Sequence, residues 1–581
     1  MHISTTRRHY VGSDGVERVY ETHLLRRSVR KGKSVRNETL ANLSHLPFEL
    51  VEALRAGLSG KTLLVAGEGV ELLRSLPHGH LAAAGVRARQ LGLPDLLGPP
   101  CKERDIAYAL LLSRAVRPKS KLATVSWWSD TTLVEDLGLE GVTTDEAYAA
   151  MDWLLSRQDA IEQSLAKRHL SPENNPSGRA YFDLSSSWME GHTCPLSAFG
   201  YSRDHKRGKR QIEYGLLTDP KGCPVAIRVF PGNTADPTAF QEITSVVREQ
   251  FGLTHLVMVG DRGMITSARI GALKEIPGLG WLTALRAPQI RKLAEGDGPL
   301  QLGLFDEVNF CEISHPDYPG ERLVCCRNPL LVVERTRKRE ELLRATEEAV
   351  APVISRVESD QLSGEHTIAL RLGKVLNRFK MQKHFIVEIT DSSCSITRDE
   401  ASIAAEAALD GIYVLRTTIR TDELDTPGVI SAYKDLAGVE RDFRSMKAVD
   451  IDIRPVHHRL EDRVRAHAFL CFLATYVTFH LRATLAPLTF TDTESQVRDD
   501  PVAPATRSVA ARYKAATKTN ANGEQVRAYP ELLEHLGTLT RNKMRVVATG
   551  PGIEFDLLAT PTPTQRRVFE LLGSPVPKSL T

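Results

Sequence analysis

The sequence predicts an α/β protein built on a mixed sheet with helices on its faces. Three observations carry this. Segments 180–184 (AYFDL), 211–218 and 225–230 read as strands in hairpin order, the last two joined by the turn Asp219-Pro220-Lys221-Gly222. Two further apolar runs, 255–259 (HLVMV) and 279–285, alternate with helical patterns near 236–250 and 264–275, so strand–helix–strand crossovers follow the hairpins. After an interruption at 287–410, a strand at 411–417 and long helical patterns at 430–447 and 460–481 resume the unit.

A chain of 581 residues exceeds what one hydrophobic core organises, and about three to five units are expected. Net charge is only +3, so any nucleic-acid binding must rest on local basic patches. The eight cysteines are scattered and no C-x-x-C occurs. That spacing argues against a zinc site and a disulfide framework, and it suits a reducing compartment. The N-terminus, MHISTTRRHYVGSDG, lacks the apolar centre of a signal peptide. The longest apolar run, 468–479, is too short to cross a bilayer and reads as a buried helix. The expectation is a soluble cytoplasmic protein with no membrane partner.

Residues 1–46 alternate, and 26–36 read as a basic two-stranded hairpin, either a solvated edge or a ribbon that contacts phosphates. Residues 47–172 are mainly helical. Pro47 opens one helix, 102–116 form another, and Thr143 with Glu146 has capping-box spacing before a third. Such helices suit a DNA reader or a structural, dimerising bundle equally well. Gly57 to Thr62 imitates a phosphate-binding loop, but Arg55 stands where the motif needs glycine, and a helix precedes it where a strand is required. The interruption at 287–410 contains a hairpin around Asp317-Tyr318-Pro319-Gly320, a charged helix over 334–357 and a strand at 384–389. After residue 486 the chain is polar, with a linker-like stretch at 489–504.

The stretch 430–447, ISAYKDLAGVERDFRSMK, reads as a helix of about five turns, roughly 27 Å long. Leu436, Val439, Phe443 and Met446 recur at three- and four-residue steps and form an apolar seam. Tyr433, Glu440, Arg444 and Lys447 form a second stripe. By spacing alone this stripe is either a surface ion-pair ladder or one wall of a site for phosphate and metal. Asp183 stands inside an apolar strand, where aspartate is depleted and needs a partner. Asp261 follows a buried strand directly, at the end where open sheets place ligands. Three carboxylates brought together repel one another unless cations bridge them. Oxygen-only donors suit Mg²⁺ or Mn²⁺, and two such ions suit phosphodiester displacement.

YFDLSSS around Asp183, VGDRGM around Asp261, and Tyr433-x2-Leu436-x3-Glu440-x6-Lys447 resemble the three acidic motifs of DDE transposases from bacterial insertion sequences, in the branch whose third motif reads Tyr-x2-Arg-x3-Glu-x6-Lys. FPGNTAD at 230–236, DYPGERLVCCRNPLL at 317–331, KVLNRFKMQKHF at 374–385 and HRLEDRVRAHAFL at 458–470 support it, so the resemblance covers residues 180–480. It implies a ribonuclease-H-like core interrupted by a β-rich insertion. It makes Asp183, Asp261 and Glu440 the catalytic and metal-binding residues, with two Mg²⁺ or Mn²⁺ ions. It also implies strand cleavage at element ends and transfer into target DNA. Leu436 departs from the motif's arginine. No tryptophan falls between 290 and 410, so a stacked flipped base would fall to Tyr318 or a phenylalanine.

Tyr433, Arg444 and Lys447 are expected to position phosphates, and Arg262 joins them beside Asp261. The run Arg203, Lys206, Arg207, Lys209 and Arg210 is expected to contact the DNA backbone. Ser185, Ser186 and Ser187 lack the surroundings of a nucleophile. His457 and His458 read as a helix entry or a DNA-facing pair. The expected layout is a basic hairpin region at 1–46, a helical DNA-binding or dimerisation region at 47–172, core halves at 173–286 and 411–485, an insertion at 287–410 and a tail at 486–581. The partners expected are double-stranded DNA, as terminal inverted repeats and target, and a second copy of the chain on that DNA, in the nucleoid. The other readings are a repurposed, inactive DNA-binding protein of the same fold and a general nuclease.

Overall fold

A computed structural model describes every residue except 12, 14–16, 33, 62–69, 205, 254–255, 262–269, 271–277, 296–297, 495–499, 504–505, 547–552 and 581. The end of the phosphate-loop lookalike, the helix expected at 264–275 and Arg262 therefore lie outside the described residues. The chain divides into two compact units, one made of residues 1–76 and 540–559, the other of 77–539 and 560–581.

In the first unit β1 (His2–Val11), β2 (Glu17–Lys31) and β3 (Ser34–Asn42) form an antiparallel sheet in that order. The expected hairpin is thus one edge of a three-stranded sheet. Leu25 pairs with Ile3 on one side and Ala41 on the other. Ile3, Leu43 and Val51 make a small core with Leu25 and Leu46, closed by the helix Phe48–Leu58. A second sheet has the order β16-β15-β4, joining β4 (Val70–Pro77) to β15 (Thr540–Val546) and β16 (Glu554–Leu558).

The second unit is a mixed α/β structure on one eight-stranded sheet. Its strands are β5 (Arg179–Trp188), β6 (Gln211–Thr218), β7 (Pro224–Pro231), β8 (Leu256–Val259), β9 (Leu279–Ala284), β10 (Phe310–Ile313), β11 (Arg322–Arg327) and β14 (Ile412–Thr417), in the order β10-β11-β14-β9-β8-β5-β6-β7. Strands β5, β6 and β7 form an antiparallel meander, β8 runs parallel to β5 and β9 parallel to β8, and β14 returns antiparallel to β9.

The long helix Glu461–Thr484 buries nearly every residue from Val464 to Val477. A helix apolar on all sides must be covered on all sides. It lies against β7 and against the helices Gly79–Gln90, Lys102–Val116 and Thr144–Leu155, the last opened by the Thr143–Glu146 capping box. The helices after residue 77 are therefore part of the core packing, and the chain divides at 76/77 where a boundary at 172 was expected. The insertion is also corrected. Strands β10 and β11 belong to the main sheet, and what separates β11 from β14 is mostly helical: Pro329–Glu358, Glu365–Phe379 and Glu400–Ala407, with one hairpin of β12 (Phe385–Ile389) and β13 (Cys394–Arg398). Leu343, Val350, Leu372, Leu376, Met381 and Phe385 give it its own core. The tail is folded as well. Leu532, Leu536, Val568 and Phe569 are buried on the helices Tyr529–Gly537 and Pro563–Leu571.

Candidate active site

Strand β5 places Asp183 between two buried neighbours, Phe182 and Leu184, which point to the opposite face. Asp183 pairs with Leu216 and Ser185 with Tyr214 across the meander. The Tyr214 ring meets Phe443 edge-on, with centroids 5.7 Å apart. Asp183 therefore lies on the face covered by the helix Ala437–Arg444, which packs on β5 and β6 and carries Glu440.

The parallel register brings the second aspartate alongside. Tyr181 on β5 pairs with Val259 on β8. Asp183 stands two residues further along β5, and Asp261 follows two residues after Val259, just past the end of β8. The main-chain N–H of Leu184 donates to Asp183 Oδ1 at 2.8 Å. Burial pushes the Asp183 carboxyl up to about 7; the Leu184 N–H and Arg203 oppose this, while the charges of Asp261 and Glu440 add to it. Those two charges act on Asp183 because the fold gathers all three carboxylates, which come from two strands and one helix.

The stretch expected as one helix is two. The helix Thr426–Lys434 ends at a turn through Asp435 and Leu436, and Ala437–Arg444 follows, continuing as a single π turn, Ser445–Val449. Leu436, Val439, Phe443 and Met446 are buried as a seam, and Glu440 and Arg444 are exposed one turn apart. Tyr433 sits on the preceding helix. With Asp261 it lines a cleft of about 610 Å³ between the sheet and the helical insertion. Arg291, Arg335 and Lys338 line the same cleft and are exposed. These three cations were not singled out from sequence; the Arg335-x2-Lys338 step on a charged helix is the signal that marks two of them.

The basic loop after β5 is largely committed to the protein itself. Lys447, expected to hold phosphate, instead donates to Asp204 Oδ1 at 2.8 Å. Asp204 also takes Arg454 and is almost fully buried. Burial lowers the Lys447 ammonium below its ordinary value, against the pull of Asp204. Its role is to tie the loop to the π turn. The Arg203 N–H donates to Ser186 Oγ and its guanidinium lies 3.5 Å from Glu213. Arg210 donates to the Ser197 carbonyl and covers Phe199. Lys209 pairs with Glu190 at 3.0 Å, and Lys206 and Lys209 both lie over Trp188. Lys206 and Arg207 are exposed. One face of the Tyr318 ring is covered by Arg416 at 4.8 Å. His458 packs against Tyr148 and His467 inside the helical layer, and burial holds it down to about 3.

Only oxygen donors come from the three carboxylates, and their mutual repulsion is what a divalent cation relieves, so the donor set fits Mg²⁺ or Mn²⁺.

Residues 189–477 match the family described as the transposase DDE domain. The span contains Asp261 and Glu440 and begins just beyond Asp183. Among solved structures the chain is similar to a cryo-EM structure of a piggyBac transposase synaptic complex with hairpin DNA, at 9% identity and a TM-score of 0.32, covering 79% of this chain and 76% of that one. No curated protein matches the chain.

Proposed function

We propose that this chain, with its match to the transposase DDE domain at 189–477, is a DNA transposase of the insertion-sequence type whose reaction centre is Asp183, Asp261 and Glu440. The observation that carries this is the convergence of three carboxylates on one face of the sheet, with Asp183 raised by burial and by the other two. The strand order β7-β6-β5-β8-β9, a meander followed by two parallel strands, supports a ribonuclease-H-like reading of the core.

Two divalent ions held by the carboxylates would supply Lewis acidity to the attacking and leaving oxygens of a phosphodiester. The chain's own groups do the rest. The Leu184 N–H fixes one oxygen of Asp183. Arg444, one turn beyond Glu440, offers a guanidinium to the scissile phosphate. Tyr433, Arg291, Arg335 and Lys338 line the path of a strand leaving Asp261, and Lys206 and Arg207 extend the basic surface. Water first attacks at an element end, and the released 3′-OH then attacks target DNA. Two ends must be joined, so a dimer assembles on terminal inverted repeats, in the nucleoid.

Cleavage of DNA carrying the element's terminal repeats tests this. Asp183→Ala and Glu440→Gln each lower Mg²⁺-dependent cleavage by roughly 10²-fold or more. Full cleavage by either variant sinks the assignment. Specific end binding without cleavage by the wild type indicates the repurposed DNA-binding protein, and cleavage without end preference a general nuclease.

A further inference from the structure

A second cluster of donors lies at the opposite end of the β6–β7 hairpin from its Asp204 side. His169 is in the last turn of the helix Gln158–Leu170, Cys223 is in the turn between β6 and β7, and His480 is on the helix Glu461–Thr484. Cys223 Sγ lies 3.9 Å from His169 Nε2 and 3.5 Å from His480 Nε2. One donor atom from each residue lies within 4.8 Å of the others. Tetrahedral zinc, with Zn–S near 2.3 Å and Zn–N near 2.0–2.1 Å, spans an S···N edge of roughly 3.5 Å. Both sulfur–nitrogen distances are close to that edge. A thiol has one proton to donate, yet two imidazole nitrogens lie within reach of this sulfur.

The surroundings are those of a metal site. His169 Nδ1 is 3.6 Å from Asp219 Oδ2, the carboxylate–imidazole pairing that orients a metal-binding histidine. Asp219 Oδ1 accepts the N–H groups of Lys221 and Cys223, both at 2.8 Å, and so shapes the turn that presents the thiol. Tyr476 Oη is 3.0 Å from His169 Nε2, so an ion bound at that nitrogen requires the Tyr476 side chain to shift. Asp442, 7% exposed, keeps Oδ2 buried without a hydrogen-bond partner, and a side chain built at Gly222 would stand 3.9 Å from that oxygen.

We propose that His169, Cys223 and His480 bind a zinc-class transition-metal ion, with Asp219 orienting His169. Sulfur and imidazole donors select zinc-class ions over Mg²⁺, so this site and the all-oxygen carboxylates take different metals. Binding releases the Cys223 proton. The ion staples three remote elements around the turn that supports Glu440. Gly222, beside the ligand Cys223, faces Gly438 so closely that a Cβ on either lies 3.5–3.6 Å from the other's Cα.

The test uses the full chain without an affinity tag, with metal measured by mass spectrometry and Co²⁺ used as a spectroscopic probe. The wild type carries about one zinc per chain, and its Co²⁺ form shows thiolate-to-cobalt charge transfer and tetrahedral d–d bands. Cys223→Ser loses the charge-transfer band, and His480→Ala lowers zinc content at least tenfold. Glu440→Gln keeps full zinc, which separates this site from the proposed reaction centre. If Cys223→Ser does not fold, the Co²⁺ spectrum of the wild type decides. Less than about a tenth of an equivalent of zinc after reconstitution, with no thiolate–cobalt absorption, overturns the proposal.

Discussion

Asp183 meets two effects that act in the same direction, burial inside an apolar strand and two acidic neighbours. Its folded value near 7 stands above its ordinary 3.8. A carboxyl raised in this way favours folding fully below its unfolded value, and that contribution is lost as pH rises through about 7. Metal-free protein therefore loses this group's contribution between about pH 4 and pH 7. Asp183→Asn removes the loss and raises metal-free stability at pH 8 by roughly 1–3 kcal/mol in chemical denaturation. Mg²⁺ stabilises the wild type more at pH 8 than at pH 5 and the variant little at either. Lys447 and Arg444 differ in kind despite sharing a turn. Lys447→Met leaves the buried Asp204 with Arg454 and the Trp188 N–H and costs roughly 1–3 kcal/mol of stability. Arg444→Ala, at an exposed position, changes stability by no more than about 0.5 kcal/mol while lowering cleavage.

Glu440 depends on how its helix is seated. Leu436, in the turn that opens the helix, starts the seam that Val439, Phe443 and Met446 continue. Below them, the β5–β6 pair is close-packed at Gly215, where a Cβ would collide with the Phe182 ring. Phe182 is itself held against Phe240. Gly215→Ala should therefore cost about 1–3 kcal/mol through overpacking, read from the denaturation midpoint. Cleavage should fall as well, since Asp183 neighbours the displaced ring. At this scale the seam was legible because its period is local. The helical insertion could also have been read. Leu343, Thr346, Val350 and Val357 recur at steps of three, four and seven along Pro329–Glu358 and are buried.

Across the whole unit the sheet order does what no single segment does. It sets β8 beside β5, so the end of β8 brings Asp261 toward Asp183 in the middle of β5, and Asp261 lines the cleft beside the insertion. Arg335 and Lys338 lie on one helix of that insertion and face this cleft. If DNA follows it, Arg335→Ala and Lys338→Ala each weaken binding at low salt and reduce the slope of log affinity against log salt by about 1. Unchanged slopes in both variants place the DNA elsewhere.

The strand segments and the seam were determined by the sequence alone, because alternation and helical period are written within a few neighbouring residues. Tertiary structure alone decided which distant groups meet. Lys447 turned to Asp204, 243 residues away, rather than to phosphate. The C-terminal strand β15 joined β4 near the other end of the chain. His169, Cys223 and His480, whose spacing matches no metal motif, came together around one sulfur. Such partners are chosen by strand register and by the need to cover buried surface, and neither is expressed in local spacing.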